Sequence, residues 1–130
     1  MNDPKRTLLQ LTEQLLESVS KRDWHTYASL CDEQMTCFEP ESKGHLVEGM
    51  PFHRFYFQLG GGSTATNQTL CQPKVHLLGD VGVVAYTRLQ QRLDADGHPR
   101  TWAWNESRVW QRQGEQWKLI HFHRSPVSMS

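Results

Sequence analysis

The sequence predicts an α+β domain with helices first and sheet after, and three observations carry that prediction. Apolar residues recur at helical spacing near the N-terminus. From Gln68 onward the pattern changes to period two in four long runs. Gly79-Asp80, Asp96-Gly97 and Gln113-Gly114 separate those runs with turn signals. Connections this short join antiparallel neighbours, and helices followed by a meander of long strands give segregated α+β layers.

The elements follow in order. Asp3-Pro4 reads as an N-cap with proline at the first helical position. Leu8, Leu11, Leu15, Leu16 and Val19, widened by Leu9, make one apolar stripe, so a helix is expected from about Pro4 to Ser20. Lys21 and Arg22 suit its negative end. Asp23 can cap a second, shorter helix with Trp24, Tyr27, Ala28 and Cys31 inward. Met35 to Phe38 is a short strand, and Phe38-Glu39-Pro40-Glu41 leads into a polar loop. Gly49 to Phe57 is a third helix dense in aromatics, which Gly60, Gly61 and Gly62 stop. A flexible loop is expected from there through Asn67. The long strands are expected at Gln68–Leu78, Val81–Leu93, Arg100–Arg112 and Gln116–Ser125. No internal repeat is visible, and positions 1–130 read as a single domain.

Totals narrow the function classes. A chain of 130 residues with 37% hydrophobic content is long enough for one core. Zero net charge argues against a nucleic-acid partner, which normally demands a basic surplus. No run approaches the roughly 18 apolar residues of a membrane span, and Met1-Asn2-Asp3-Pro4 shows no signal-peptide pattern. Cys31, Cys37 and Cys71 are odd in number and lack metal or redox spacing. They read as reduced thiols of a cytoplasmic protein.

The strands carry large apolar groups on both faces. Val81, Val83, Ala85 and Leu89 face one way, and Val84 and Tyr86 the other. Trp102, Trp104 and Trp110 share a face, with Ala103 and Val109 opposite. In the last strand Trp117, Leu119, His121 and His123 oppose Lys118, Ile120, Phe122 and Arg124. Three helices can cover one face of a four-stranded sheet. The other face, with Val83, Ala85, Val109, Trp117 and Leu119, is then expected to bind a second copy of the chain.

Phase also groups three arginines. Arg88 shares a face with Val84 and Tyr86, Arg108 with Trp102, Trp104, Glu106 and Trp110, and Arg124 with Ile120 and Phe122. A buried guanidinium keeps its charge and needs an acceptor. Two readings stand side by side. One is an internal ion-pair network, with Glu106 on the same face and Glu39 and Glu41 approaching from the loop. The other is a pocket for a small anion.

The remaining candidates are weaker. His121 and His123, with His76, lack a third ligand at metal spacing, so no metal is expected. His76, Asp80, His121 and Glu39 are general acid–base candidates, but none forms a dyad in sequence. His53 sits in the aromatic helix, where a structural role is expected. Nucleotide-binding and hydrolase motifs are absent, and Gly60–Ser63 lacks the lysine and strand of a phosphate loop. No catalytic residue and no cofactor are expected.

Several stretches resemble the association (hub) domain of calcium/calmodulin-dependent protein kinase II. They are "LTEQLLESVS" at 11–20, "CDEQMTCFEPES" at 31–42, "LVEGMPFHRFYF" at 46–57, "VHLLGD" at 75–80, "HPRT" at 98–101, "SRVWQR" at 107–112 and "WKLIHFHRS" at 117–125. They occur in family order across nearly the whole chain. The resemblance implies a nuclear transport factor 2-like cone, in which a curved antiparallel sheet packs against N-terminal helices. It also implies dimers through the sheet, assembly into a ring, and a non-catalytic role. The family's arginine-lined pocket looks like Arg88, Arg108 and Arg124, with Tyr86, Glu106, Trp102, Trp104 and Phe122 around them. A small carboxylate or other anion is the ligand expected there. The glycine-rich kinase loop, HRD and DFG are absent, as is a basic calmodulin-target helix, so the chain is expected to be a stand-alone, bacterial-type relative. The rival expectation is a small enzyme of the same fold, an isomerase, dehydratase or hydrolase acting on an acidic molecule.

Overall fold

A computed structural model describes residues 3–59 and 66–127. Helix α1 spans Pro4–Ser20, and the Asp3 side chain accepts from the Lys5 amide at 3.0 Å. Helix α2, Trp24–Leu30, is capped by Asp23, which accepts from the Thr26 amide at 3.1 Å. Strand β1 (Cys31–Phe38) leads through a 3-10 turn at Pro40–Ser42 to the two-residue strand β2 (Val47–Glu48) and helix α3 (Pro51–Gln58). Four long strands follow: β3 Thr66–Leu78, β4 Val81–Leu93, β5 Pro99–Gln113 and β6 Gln116–Pro126.

The strands form one six-stranded sheet in the order β2-β1-β6-β5-β4-β3. The meander β3 to β6 is antiparallel, as its turn signals predict. The expected four-stranded sheet is extended by two strands. β1 runs parallel to β6 and carries β2 on its outer edge. Of the expected loop after α3, residues 60–65 lie outside the described residues, while Thr66 and Asn67 already belong to β3.

All three helices pack on one face of this sheet. Leu8, Leu15 and Leu16 of α1 meet Val84, Trp110 and Leu119 in the core. Trp110 is fully buried and donates its Nε1–H to Thr12 Oγ1 at 3.2 Å. Gly82 lets α1 approach β4 closely: a methyl group there would overlap the Cδ1 of the buried Leu8, which would have to move.

One β-bulge corrects the face assignment of the last strand. Trp110 pairs with Leu119 and Val109 with His121, so Ile120 is an extra residue in β6. The period-two phase flips there. Leu119 therefore enters the core with no exposure, and Trp117 packs against the core beside it. Neither stands on the outer face, where strict alternation placed them as contacts for a second copy. Phe122 and Arg124 remain on the inner face, and His121 and His123 on the outer. A second irregularity lies in β3 between Cys71 and Lys74, where Gln72 takes φ 49°. Bulges bend the strands that carry them, and the sheet curves around the helices.

Candidate functional site

Strand register brings the three arginines together on the inner face. Val84, Arg108 and Phe122 form one transverse row, Tyr86, Glu106 and Arg124 the next, and Arg88 and Trp104 the third. Glu106 is the hub of this block. It accepts from the Tyr86 hydroxyl at 2.6 Å, from Arg88 Nε at 2.9 Å and from Arg108 Nη2 at 3.2 Å. Arg108 Nε donates to the Tyr86 oxygen at 2.9 Å, and Arg88 Nη1 to Gln68 Oε1 at 2.6 Å. Arg88, Glu106 and Arg108 are only 6%, 2% and 4% exposed, so these contacts replace water. Burial pushes the Glu106 carboxyl up, but the flanking Arg108 and Arg88 guanidiniums and the Tyr86 hydroxyl outweigh it and hold the group below the usual carboxylate range.

Arg124, on β6, stands one strand nearer the β1–β2 edge and is held from the segment that follows β1. Its Nε donates to Glu39 Oε2 at 3.2 Å, and its Nη2 reaches both Glu41 oxygens at 2.6 and 2.7 Å. Trp104 lies under it, with the guanidinium 4.7 Å from the ring centroid, and Arg108 lies 4.5 Å over Phe122. The Trp104 Nε1–H is buried and has no acceptor among the described residues.

Helices close the space above this wall. Tyr27 of α2 and His53, Tyr56 and Phe57 of α3, with Leu16 and Val19 of α1, complete a cavity of about 370 Å³. Arg88, Arg108, Arg124, Trp104 and Phe122 line it, as do Glu39, Glu41 and Arg92. Tyr86 and Glu106 sit behind the arginines rather than on the cavity surface. Trp102 stands outside the lining, one row further along, where Arg92 covers its ring at 4.2 Å. Among the lining residues that sequence reasoning left out of the site is His53. Its ring is buried, 3.8 Å from Glu39 Oε1 and 3.7 Å from Cys37 Sγ. Burial, with Arg108 and Arg124 nearby, lowers its pKa to about 4, so it is neutral at pH 7. Its position on an aromatic helix gave no spacing signal toward the strands it meets.

Of the acid–base candidates, Glu39 alone enters the cavity. Burial raises its pKa despite Arg124. His76 and Asp80 lie elsewhere, and His121 is on the outer face, bonded through Nδ1 to Thr36 Oγ1 at 2.8 Å. Cys37, Glu39 and His53 bring donor atoms within 4.8 Å of one another. Burial pushes the Cys37 thiol up to about 12, and the same two arginines stand nearby. A protonated thiol among guanidiniums is a poor cation site.

The outer face is different in kind. His76, Val83, Val109 and His121 form one row across β3 to β6, and Lys74, Ala85, Ser107 and His123 the next. Phe38 packs its ring against His121 and His123, with centroids 6.1 and 5.6 Å away. No helix among the described residues covers this face.

A six-stranded curved sheet with three helices on one side and a cavity between them is the nuclear transport factor 2-like fold. A protein of that superfamily from Salmonella enterica, 19% identical, superposes with a TM-score of 0.76 over 97% of this chain and 92% of its own. Within the fold the family is narrower. The model of the calcium/calmodulin dependent protein kinase II association domain matches residues 4–128, and the chain belongs to that family. The Chlamydomonas reinhardtii hub homology domain superposes with a TM-score of 0.92 at 37% identity, covering 97% of this chain and 100% of that one. The Caenorhabditis elegans association domain gives 0.88 at 43% identity, covering 95% and 99%. The alpha chain of the Drosophila melanogaster type II kinase is 44% identical over 124 residues, 93% of this chain. This chain spans 23% of that relative's length. No helix among the described residues is long and apolar enough to cross a membrane.

Proposed function

We propose that this chain is a non-catalytic self-association module of the hub type, and that its cavity accepts a small carboxylate. The observation that carries the first half is the uncovered outer face. Every helix of the described residues packs on the inner side, which leaves Val83, Ala85 and Val109 side by side at the centre of the other. These three make a small apolar strip flanked by His76, His121, Lys74 and Ser107. Such a strip on an uncovered face favours a partner surface, and a second copy offers the same strip by symmetry. Membership of the association-domain family supports this reading. Light scattering at micromolar concentration is expected to give a dimer mass or larger. A monomer mass across that range would sink the proposal.

The second half rests on the cavity wall. Arg88, Arg108 and Arg124 converge on one space, with Arg92 at its margin. A guanidinium fork matches a carboxylate geometrically, and a hydrogen bond to a charged group contributes about 1.5–3 kcal/mol. The Glu106 network fixes two of the forks in place, so the ion-pair network and the pocket are one structure. Small carboxylates should raise the thermal midpoint of the wild type. Arg124→Ala should weaken that binding about tenfold to a hundredfold. If no anion shifts the wild type and Arg124→Ala only lowers stability, the arginines are scaffolding.

A further inference from the structure

Resting on that reading of the cavity, we propose that Glu41 is a resident carboxylate on Arg124 and that a ligand enters by exchanging with it. The geometry points to exchange rather than to an open fork. Both Glu41 oxygens sit on Arg124 Nη2, at 2.6 and 2.7 Å. Nη2 is one of the two nitrogens that a carboxylate bound across the Arg124 fork would use.

The two acids on Arg124 are not equivalent. Glu39 is 7% exposed at its side chain and is wedged between Arg124 and His53, while Glu41 is 35% exposed. Glu41 lies in the short Pro40–Ser42 turn, whose backbone is closed by the Ser42 and Lys43 amides and needs no contribution from the Glu41 side chain. A rotation of that side chain into water frees Nη2 without moving the turn. Arg124 would then stay in place, because Trp104 still stacks beneath it and Glu39 still accepts from its Nε. Arg124 is thus pre-organised by two contacts, and one tip of its fork is occupied by a third that can leave.

Charge counting at Arg124 alone, leaving Arg88, Arg92 and Arg108 of the lining aside, favours exchange over addition. With Glu41 seated, Arg124 faces two carboxylates, and a third would meet repulsion. With Glu41 rotated out, one negative group replaces another and the balance is unchanged. The ligand affinity measured for the wild type is then its intrinsic affinity reduced by the cost of displacing Glu41.

The test measures dissociation constants for benzoate and butyrate, by calorimetry, on the full chain. Glu41→Gln removes the charge that competes. Glu41→Asp keeps the charge but is one methylene short of the fork. Exchange predicts about tenfold tighter binding for Glu41→Gln, and a smaller tightening for Glu41→Asp. If the wild type binds and both variants bind equally or more weakly, exchange is wrong while the cavity reading stands. If Glu41→Gln tightens binding and Glu41→Asp matches the wild type, bulk charge is the cause and exchange is overturned. If none of the three proteins binds either carboxylate, the exchange and the cavity reading fail together.

Discussion

The inner and outer faces of the sheet are built from alternate residues of the same strands, yet they solve different problems. On β4 and β5 the inner residues run from Val84 and Trp110, in a dry core, to Arg88, Glu106 and Arg108, in a paired ionic block. The outer residues of the same strands are Val83, Ala85 and Val109, partly exposed, and Ser107, exposed, with no helix among the described residues over them. The inner face pairs its arginines and acids with one another within one chain and leaves the Trp104 Nε1–H without an acceptor among the described residues. The outer face is incomplete in one chain. The proposed ligand binding and association would therefore draw on separate sets of side chains, so that each could be broken while the other is kept.

The largest effect is expected on the inner face. Glu106→Ala leaves the Arg88 and Arg108 guanidiniums buried without their carboxylate. Breaking a buried pair from one side costs about 3–5 kcal/mol. Chemical denaturation should show a loss of that size. A loss below about 1 kcal/mol would mean that water reaches the block and that the network is not what holds the cavity wall.

A smaller, pH-dependent effect belongs to His53. Its pKa falls from the ordinary 6.5 to about 4 in the folded chain, chiefly by burial. The unfolded chain then binds the proton first. The stability this group contributes is fully present above pH 6.5 and is lost as pH falls from there through about 4. The shift corresponds to ~3 kcal/mol. Glu106, held below its ordinary range, adds to the acid loss, and Glu39, raised, opposes it. The cleanest reading is a difference. Denaturation of His53→Gln between pH 7 and pH 4 should show a flatter acid slope than the wild type, and equal slopes would place His53 in contact with water.

Much of this was legible in the sequence, and what was not has physical causes. The bounds of α1 followed from Asp3-Pro4 and the leucine stripe, and those of β4 from two turn signals. The arginine wall was legible because Arg88, Arg108 and Glu106 sit on strands whose phase is unbroken. Leu119 and Trp117 were misplaced because a bulge at Ile120 costs one residue of register and leaves no mark in composition. The parallel pairing of β1 with β6 joins segments some eighty positions apart, and no turn residue announces such a contact. His53 was missed as a cavity residue for the same reason: periodicity tells which side of α3 is apolar, not which strand it meets.

The separation of the two faces is tested most directly by the mass of Val109→Glu beside that of the wild type. Val109 lies on the outer face between Val83 and His121, on the opposite side of the sheet from the arginine block. Light scattering at one micromolar-range concentration should give a dimer or larger for the wild type and a monomer for the variant, with the carboxylate-induced thermal shift retained in both. A variant that keeps the wild-type mass, or a wild type that is already monomeric, would contradict the account.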